Sequence, residues 1–263
     1  MKRWIVALLV SLCLPPLACA QASAEAPKFG VLSLISDAYT VVTYDRVVGR
    51  LADANLKEAV PLSERVYDDV VLVAANEVLQ GLARPKEIAF LSAGAATAYP
   101  EASRLFDGPR FLPPEWLAQA LAQQKVPRLI LVTKHKADTK IGLRDEAIGS
   151  GKLEGLGFYV DRTKSLRHAA SGDIVEGYLA CFAYLRVSLI DVPTMTVVVQ
   201  QPVIASTIVA PRGTRAGADP WDAVTPIQKL QSLEQLVKEA MGATLPQLLP
   251  APSAPVEPPL ARG

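Results

Sequence analysis

Two long β-rich runs separated by one short turn constrain the fold of this chain most. The runs cover 177–192 and 195–209, and Asp191-Val-Pro-Thr joins them. β-Branched residues at this density favour strands, and Pro193 suits a turn better than a paired strand. The pattern therefore predicts a long antiparallel hairpin, with Pro202 at an edge or a bulge.

Strand-like and helix-like patterns alternate along the rest of the chain. The predicted strands are 29–35, 39–44, 87–92 and 128–133, and the predicted helices are 64–82, 114–125 and 226–245. The first two strands form either a hairpin or one sharply bent strand across 36–38. Thr225 and Gln228 give the last helix the residues of a capping box. The sequence predicts an α/β fold with an α+β tendency: a mixed β-sheet with a long antiparallel hairpin and about three packed helices.

The first twenty residues have the order of a secretory signal peptide. Lys2 and Arg3 precede an apolar run over 4–14, and Ala18-Cys19-Ala20 supplies small residues before a cleavage site. The run is shorter than the roughly 20 apolar residues of a membrane-spanning helix. We therefore expect a periplasmic or secreted protein cleaved after Ala20. Lipoprotein processing before Cys19, which would anchor the protein to a membrane, is the alternative.

These features divide the chain into four parts. They are a signal peptide (1–20), a flexible lead-in (21–28), a single α/β domain (29–245) and a disordered Pro-rich tail (246–263). Within the domain, 134–176 is polar and rich in glycine, and we expect it to form a protruding excursion with one strand at 156–161. Long loops on a rigid scaffold are frequent binding sites, so recognition is expected there. The candidate residues for a recognition loop are Lys152, Glu154, Phe158 and Tyr159.

Charge and cysteine content exclude several classes of function. The chain has 27 basic and 26 acidic residues, and losing Lys2 and Arg3 with the signal leaves 25 basic residues. A near-neutral chain has no general attraction to phosphate, so nucleic-acid binding is not expected. Cys181 alone remains after cleavage, in an apolar run that predicts a buried structural thiol.

No cofactor or metal site is predicted. The segment 149–157 resembles a phosphate loop, but Gly151-Lys152 is followed by Leu153, where a P-loop needs Ser or Thr. His135 and His168 both lie among basic neighbours, which would repel a cation.

The weak catalytic candidates are Ser36, Asp37 and Ser92, which follow predicted strands. A nucleophile elbow needs Gly two residues before the serine, and Phe90 holds that position. Ser36 and Asp37 are typical turn residues, because their side chains bond to nearby backbone. A turn role is therefore favoured over catalysis.

The hairpin also carries a segment with a family likeness. Leu189-Ile190-Asp191-Val-Pro-Thr-Met195, followed by a β-run over 196–199, is similar to a hairpin of small α/β domains in bacterial envelope proteins. The order of elements over 29–245 resembles the periplasmic domain of the curli-secretion channel subunit and the lipoprotein activators of penicillin-binding proteins. The resemblance implies a binding or assembly role and assigns no catalytic residue.

The sequence therefore favours an exported, non-enzymatic bacterial envelope protein that binds a protein or an envelope component. No transmembrane helix is expected after processing, and the sequence identifies neither the partner nor the oligomeric state. The alternatives are a periplasmic hydrolase with a Ser/Asp site at the strand ends and a small-ligand carrier.

Overall fold

The structure is a computed structural model that describes residues 28–44, 55–81, 87–94, 99–143, 146–167, 174–209 and 219–249. The predicted signal peptide, the lead-in up to residue 27, Cys19 and His168 lie outside the described residues. Strands and helices have the following bounds: β1 Lys28–Leu34, β2 Ala38–Thr43, β3 Leu56–Pro61, α1 Val66–Gln80, β4 Glu87–Leu91, β5 Phe106–Asp107, β6 Arg110–Phe111, α2 Glu115–Gln124, β7 Arg128–Lys134, β8 Lys136–Asp138, β9 Ile141–Leu143, β10 Glu146–Ile148, β11 Lys152–Arg167, β12 Ile174–Asp191, β13 Thr196–Ile208 and α3 Pro226–Leu248.

The predicted long hairpin is confirmed and forms the spine of a mixed sheet. β12 pairs with β13 from Asp191↔Thr196 to Ala180↔Ile208, around a turn at 192–195. On its other edge β12 has two partners in succession. Its first half pairs with β11 and its second half pairs with β7, both antiparallel.

The sheet therefore forks into two branches at the middle of β12. One branch continues from β7 to β1 and β4, all three parallel. The other continues from β11 to the parallel β2 and the antiparallel β3. Because β1 and β2 belong to different branches, the chain between them is a sharp bend, and the hairpin alternative for this pair is wrong.

Three hydrophobic clusters cover the two faces of the forked sheet. On the first face, α1 and α3 pack across both branches, with Val71, Leu233 and Met241 fully buried. On the second face, α2 covers the β1–β7 branch through Leu117 and Leu121. The α/β arrangement with three packed helices is thus confirmed.

Within the predicted excursion, residues 141–143 and 146–153 form the third cover, and they do not protrude as predicted. Ile141, Ile148 and Leu153 are buried against the aromatic side chains of β11 and β12 on the second face. β11 is also longer than the strand predicted at 156–161 and pairs with β2, β8 and β12. The apolar residues of this polar segment close the sheet face that α2 leaves open, because that aromatic face would otherwise be exposed to water.

The ends of the helices differ slightly from the prediction. The capping box of α3 is present: Gln228 N donates to Thr225 Oγ1, and Thr225 N donates to Gln228 Oε1. The helix continues past 245 to Leu248, with Pro246 inside it. The predicted start of the disordered tail at residue 246 is therefore too early, because Leu248 and Leu249 are buried in the core. Residues 250–263 lie outside the described residues. No helix in the described ranges is both long and apolar enough to cross a membrane.

Candidate functional site

The parallel strands β1, β4 and β7 end at one edge of the sheet, and two cavities open there. The larger has a volume of about 670 Å³, and we call it the strand-end cleft. The smaller has a volume of about 360 Å³ and shares Asp37 and Tyr99 with the cleft. In open α/β sheets, ligands bind outside the carboxyl ends of strands at the point where the topology changes. The fork of this sheet is such a point.

The strand-end cleft lies between the two covers of the second face. The residues that line it are Leu34, Asp37, Thr40, Tyr99, Pro100, Glu101, Ala102, Ser103, Thr133, Lys134, His135, Lys136, Glu154 and Arg186. One wall is the segment 99–103, which precedes β5. The other wall is built by β8 and the start of β11, and the sheet contributes Thr133 and Arg186.

A buried carboxylate ties together the elements beside the cleft. Asp68, in the first turn of α1, is 4% exposed. Its Oδ1 accepts from Ile35 N at 3.0 Å, and its Oδ2 accepts from the Tyr99 hydroxyl in a short bond. Burial raises the pKa of Asp68, and the bonds that it accepts oppose that rise. The Asp68–Tyr99 pair thus fixes the cleft wall to the end of β1.

Ser36 completes this junction as a helix cap supplied from a distant segment. α1 begins at Val66, and Arg65 at its cap position makes no side-chain capping bond. Instead, Asp68 N donates to Ser36 Oγ at 2.6 Å, which satisfies one of the free amides of the first turn. Ser36 is therefore a structural residue in this geometry.

An ion pair bridges the ends of β1 and β7 at the cleft. Lys134 Nζ lies 2.5 Å from Asp37 Oδ1, and both side chains are partly exposed. Solvent screening makes such a pair worth about 1 kcal/mol or less. The backbone ladder between β1 and β7 sets their register, and the ion pair adds a side-chain contact where both strands end at the cleft.

His135 and Arg186 face each other on the far side of the cleft. Arg186 Nη2 lies 3.0 Å from His135 Nδ1. A guanidinium has no acceptor, so Nδ1 accepts this bond and the imidazole is neutral. Burial lowers the pKa of His135, and the adjacent positive charge of Arg186 lowers it further.

The structure brings only two of the three catalytic candidates together. Ser36 and Asp37 both line the smaller cavity, whereas Ser92 is exposed after β4 and lines neither cavity. Each of the first two has a structural partner, Asp68 N for Ser36 and Lys134 for Asp37. Their assignment to catalysis stays a prediction.

The recognition loop predicted from sequence is divided by the structure. Phe158 and Tyr159 lie in the core of the sheet, 1% and 0% exposed, so the expectation that they form a binding surface is wrong. They are buried because β11 is a central strand between β2 and β12. Lys152 and Glu154 are exposed at the start of β11, and Glu154 lines the cleft.

Four important residues of the site were not singled out as functional from sequence: Asp68, Tyr99, Thr133 and Arg186. Asp68 falls within the predicted helix 64–82, where nothing in the local pattern marks it. The others lie in ordinary strand or loop contexts and meet only through long-range pairing. Among the described residues, no group of three His, Cys, Asp or Glu side chains could hold a metal ion.

Comparisons with known proteins give a loose likeness of fold. No protein-family model matches the chain, and no curated protein matches it in sequence. Solved structures with a similar fold include three bacterial proteins. One is a hemagglutinin homologue from Helicobacter pylori described as neuraminyllactose-binding, with 7% identity, 89% of this chain and 87% of that chain covered, and a TM-score of 0.33.

The second is a PelC dodecamer from Paraburkholderia phytofirmans, with 10% identity, 82% and 86% coverage and a TM-score of 0.27. The third is a Xanthomonas campestris protein of the family DUF330, with 11% identity, 85% and 88% coverage and a TM-score of 0.31. The resemblance to these three bacterial proteins concerns the fold alone, and no function is transferred from them. The finer resemblance to curli-secretion and lipoprotein-activator domains stays a prediction.

Proposed function

We propose that this chain is an exported, non-enzymatic protein of the bacterial envelope that binds an envelope component in its strand-end cleft. The cleft itself carries the proposal. Its volume of about 670 Å³ is within the range of roughly 300–1,000 Å³ that is usual for small-ligand pockets. The ligand is therefore a small molecule, or a terminal group of a larger envelope molecule.

Two side-chain contacts tie the walls of the cleft together, which favours binding. Tyr99 is held by the buried Asp68, and the ends of β1 and β7 are joined by the Asp37–Lys134 ion pair. A site whose walls are fixed before the ligand arrives loses little conformational entropy on binding.

The partners of the strand-end serine and aspartate favour binding over hydrolysis. A nucleophilic serine needs a base within hydrogen-bond reach of its hydroxyl. Ser36 Oγ is buried and accepts from the amide of Asp68, while Asp37 is paired with Lys134. Both residues thus stabilise the architecture of the cleft.

Export follows from the basic head, the apolar run and the small residues that end at Ala20. Intact-mass measurement of the protein purified from its own cells tests this step. We expect the mass of residues 21–263. A mass that retains residues 1–20 would contradict export, and a diacylglycerol-modified Cys19 at the N-terminus would replace the free form with a membrane-anchored one.

Site-specific photo-crosslinking in living cells tests the binding role. A photoreactive residue at Ser103, which is exposed and lines the cleft, should give a discrete adduct. The matched control is the same residue at Gln231, which is exposed on α3 across the sheet. Absence of any adduct from Ser103, or identical adducts from both positions, would contradict the proposal.

A further inference from the structure

We infer that Arg186 and Thr133 form a binding site for one anionic oxygen group, a carboxylate or a phosphate, inside the strand-end cleft. The inference deepens the proposed function and rests on it, since it names the chemistry by which the cleft holds its ligand. Three observations carry it: the placement of the two side chains, an unpaired buried hydroxyl and a guanidinium whose hydrogen-bond partner is neutral.

The two residues are direct neighbours across two strands. Arg186 of β12 is opposite Thr133 of β7 in the antiparallel register, and both line the cleft. Side chains of directly opposed residues project from the same face of a sheet, with Cβ atoms about 5 Å apart. A single oxyanion can therefore contact both.

The hydroxyl of Thr133 lacks a partner within the described part of the chain. Thr133 is 2% exposed, and its Oγ1 is buried without a hydrogen bond. A buried polar group without a partner is costly, so native structures rarely keep one without a reason. A ligand oxygen bound beside Arg186 would accept the hydrogen bond that Thr133 offers.

Two acidic side chains of the cleft are already held by cations. Asp37 is paired with Lys134 at 2.5 Å, and Glu101 is paired with Arg104 at 3.4 Å. Glu154 is opposite Lys136 in the β11–β8 register. The side-chain partner of Arg186 is the neutral imidazole of His135, and no carboxylate among the described residues forms an ion pair with this guanidinium.

His135 orients the guanidinium for this task. Its Nδ1 accepts from Nη2 of Arg186. A neutral imidazole holds the guanidinium without neutralising it, whereas a carboxylate in the same place would neutralise its charge. A guanidinium has five N–H donors, and those left free can form the paired hydrogen bonds by which arginine holds carboxylates and phosphates.

The test is a titration of the purified mature chain with inorganic phosphate and with acetate at constant ionic strength. Binding is measured from the NMR signals of the arginine Nε–H groups. We expect a saturable shift of the Arg186 signal. Thr133→Val, which keeps the shape and removes the hydroxyl, should weaken binding about fivefold. Arg186→Gln, followed by the backbone amide signals of 133–136 because the arginine signal is lost, should weaken binding about tenfold or more, since it removes charge-assisted bonds.

Arg110→Gln is the matched control, since Arg110 is an exposed arginine of β6 outside the cleft lining. It should bind both anions as the unchanged protein does. The inference is overturned if no saturable shift occurs, if Thr133→Val binds as tightly as the unchanged protein, or if Arg110→Gln weakens binding as much as Arg186→Gln. Thr133→Val alone decides the question if Arg186→Gln does not fold.

Two further probes separate the sources of such a group. Arg186-dependent sedimentation with phosphatidylglycerol vesicles, but not with phosphatidylcholine vesicles, supports the site and assigns it to a lipid headgroup. Arg186-dependent binding of glycerol 3-phosphate without vesicle binding supports it and assigns it to a free phosphate ester. A Ser103 adduct in cells without any anion binding would overturn this inference and leave the proposed function standing. Anion binding without a Ser103 adduct in cells would contradict the proposed function and leave the anion site standing.

Discussion

Removal of the Tyr99 hydroxyl tests whether the Asp68–Tyr99 pair holds the cleft wall. Tyr99→Phe leaves the ring in place and takes away the donor to Asp68 Oδ2. Asp68 is 4% exposed, so water has little access to the oxygen that loses its partner. A hydrogen bond to a charged group contributes about 1.5–3 kcal/mol, and we therefore expect a loss of about 2 kcal/mol in the free energy of unfolding.

The assay is urea denaturation at neutral pH, with the midpoint and the slope compared between variants. For a chain of this size, about 2 kcal/mol corresponds to a fall of roughly 4–8 °C in Tm. The matched control is Tyr178→Phe. Tyr178 is 3% exposed, and its hydroxyl has no hydrogen-bond partner within the described ranges.

Removal of the Tyr178 hydroxyl should leave stability unchanged or raise it, because an unsatisfied buried group is lost. A Tyr99→Phe protein within about 0.5 kcal/mol of the unchanged protein, the usual range for neutral surface substitutions, would refute this role of the Asp68–Tyr99 pair. The role is also refuted if both variants lose the same amount, since the effect would then belong to any tyrosine of the core.

Three further outcomes are expected. Gly157→Ala should lower the free energy of unfolding by about 3 kcal/mol or more in urea denaturation, because a Cβ there would collide with the carbonyl oxygen of Thr40 on β2. The control is Gly142→Ala, whose Cβ would meet open space and should have little effect. Burial raises the pKa of Asp68 above its ordinary 3.8, so the folded chain binds the carboxyl proton more tightly than the unfolded chain does. The protonated carboxyl therefore contributes its full stabilisation below pH 3.8, and this contribution is lost as the pH rises through the raised pKa. Asn does not titrate, so Asp68→Asn should remove this pH-dependent loss of stability. Urea denaturation of both proteins across acidic pH measures it, and a difference in unfolding free energy that stays constant with pH would contradict the expectation. Burial raises the pKa of the Cys181 thiol to about 12, so iodoacetamide should label it only after unfolding, and rapid labelling of the folded chain would disprove its burial.

The sequence predicts those parts of the fold that depend on local pattern. The apolar run of β7 predicts a central strand, and the structure confirms it between β1 and β12. Thr225 and Gln228 predict the start of α3, because a capping box is a contact between near neighbours in the chain.

Glycine explains why β11 begins earlier than predicted. The glycines of 149–157 favour a loop, so the sequence predicts the strand only from residue 156, whereas β11 begins at Lys152. Gly157 lies where β2 approaches too closely for any side chain. Glycine occurs both where two backbones pack closely and where the chain turns. The sequence alone does not separate the two.

The site itself depends on long-range pairing that no local pattern encodes. Ser36 and Asp37 were identified as turn residues, and their turn lies at the edge of the cleft. Thr133 and Arg186 become neighbours only through the register of β7 with β12. Tyr99 reaches Asp68 across 31 residues of chain.

Hydrogen–deuterium exchange tests most directly where this protein binds. Exchange would be compared between the purified mature chain alone and the same chain incubated with envelope extract of its own cells. The proposed function predicts slower exchange at 34–40, 99–103 and 133–136, which line the cleft, with α1 and α3 unchanged. Protection confined to α1 and α3, or no protection at the cleft, would contradict the claim that the strand-end cleft is the binding site.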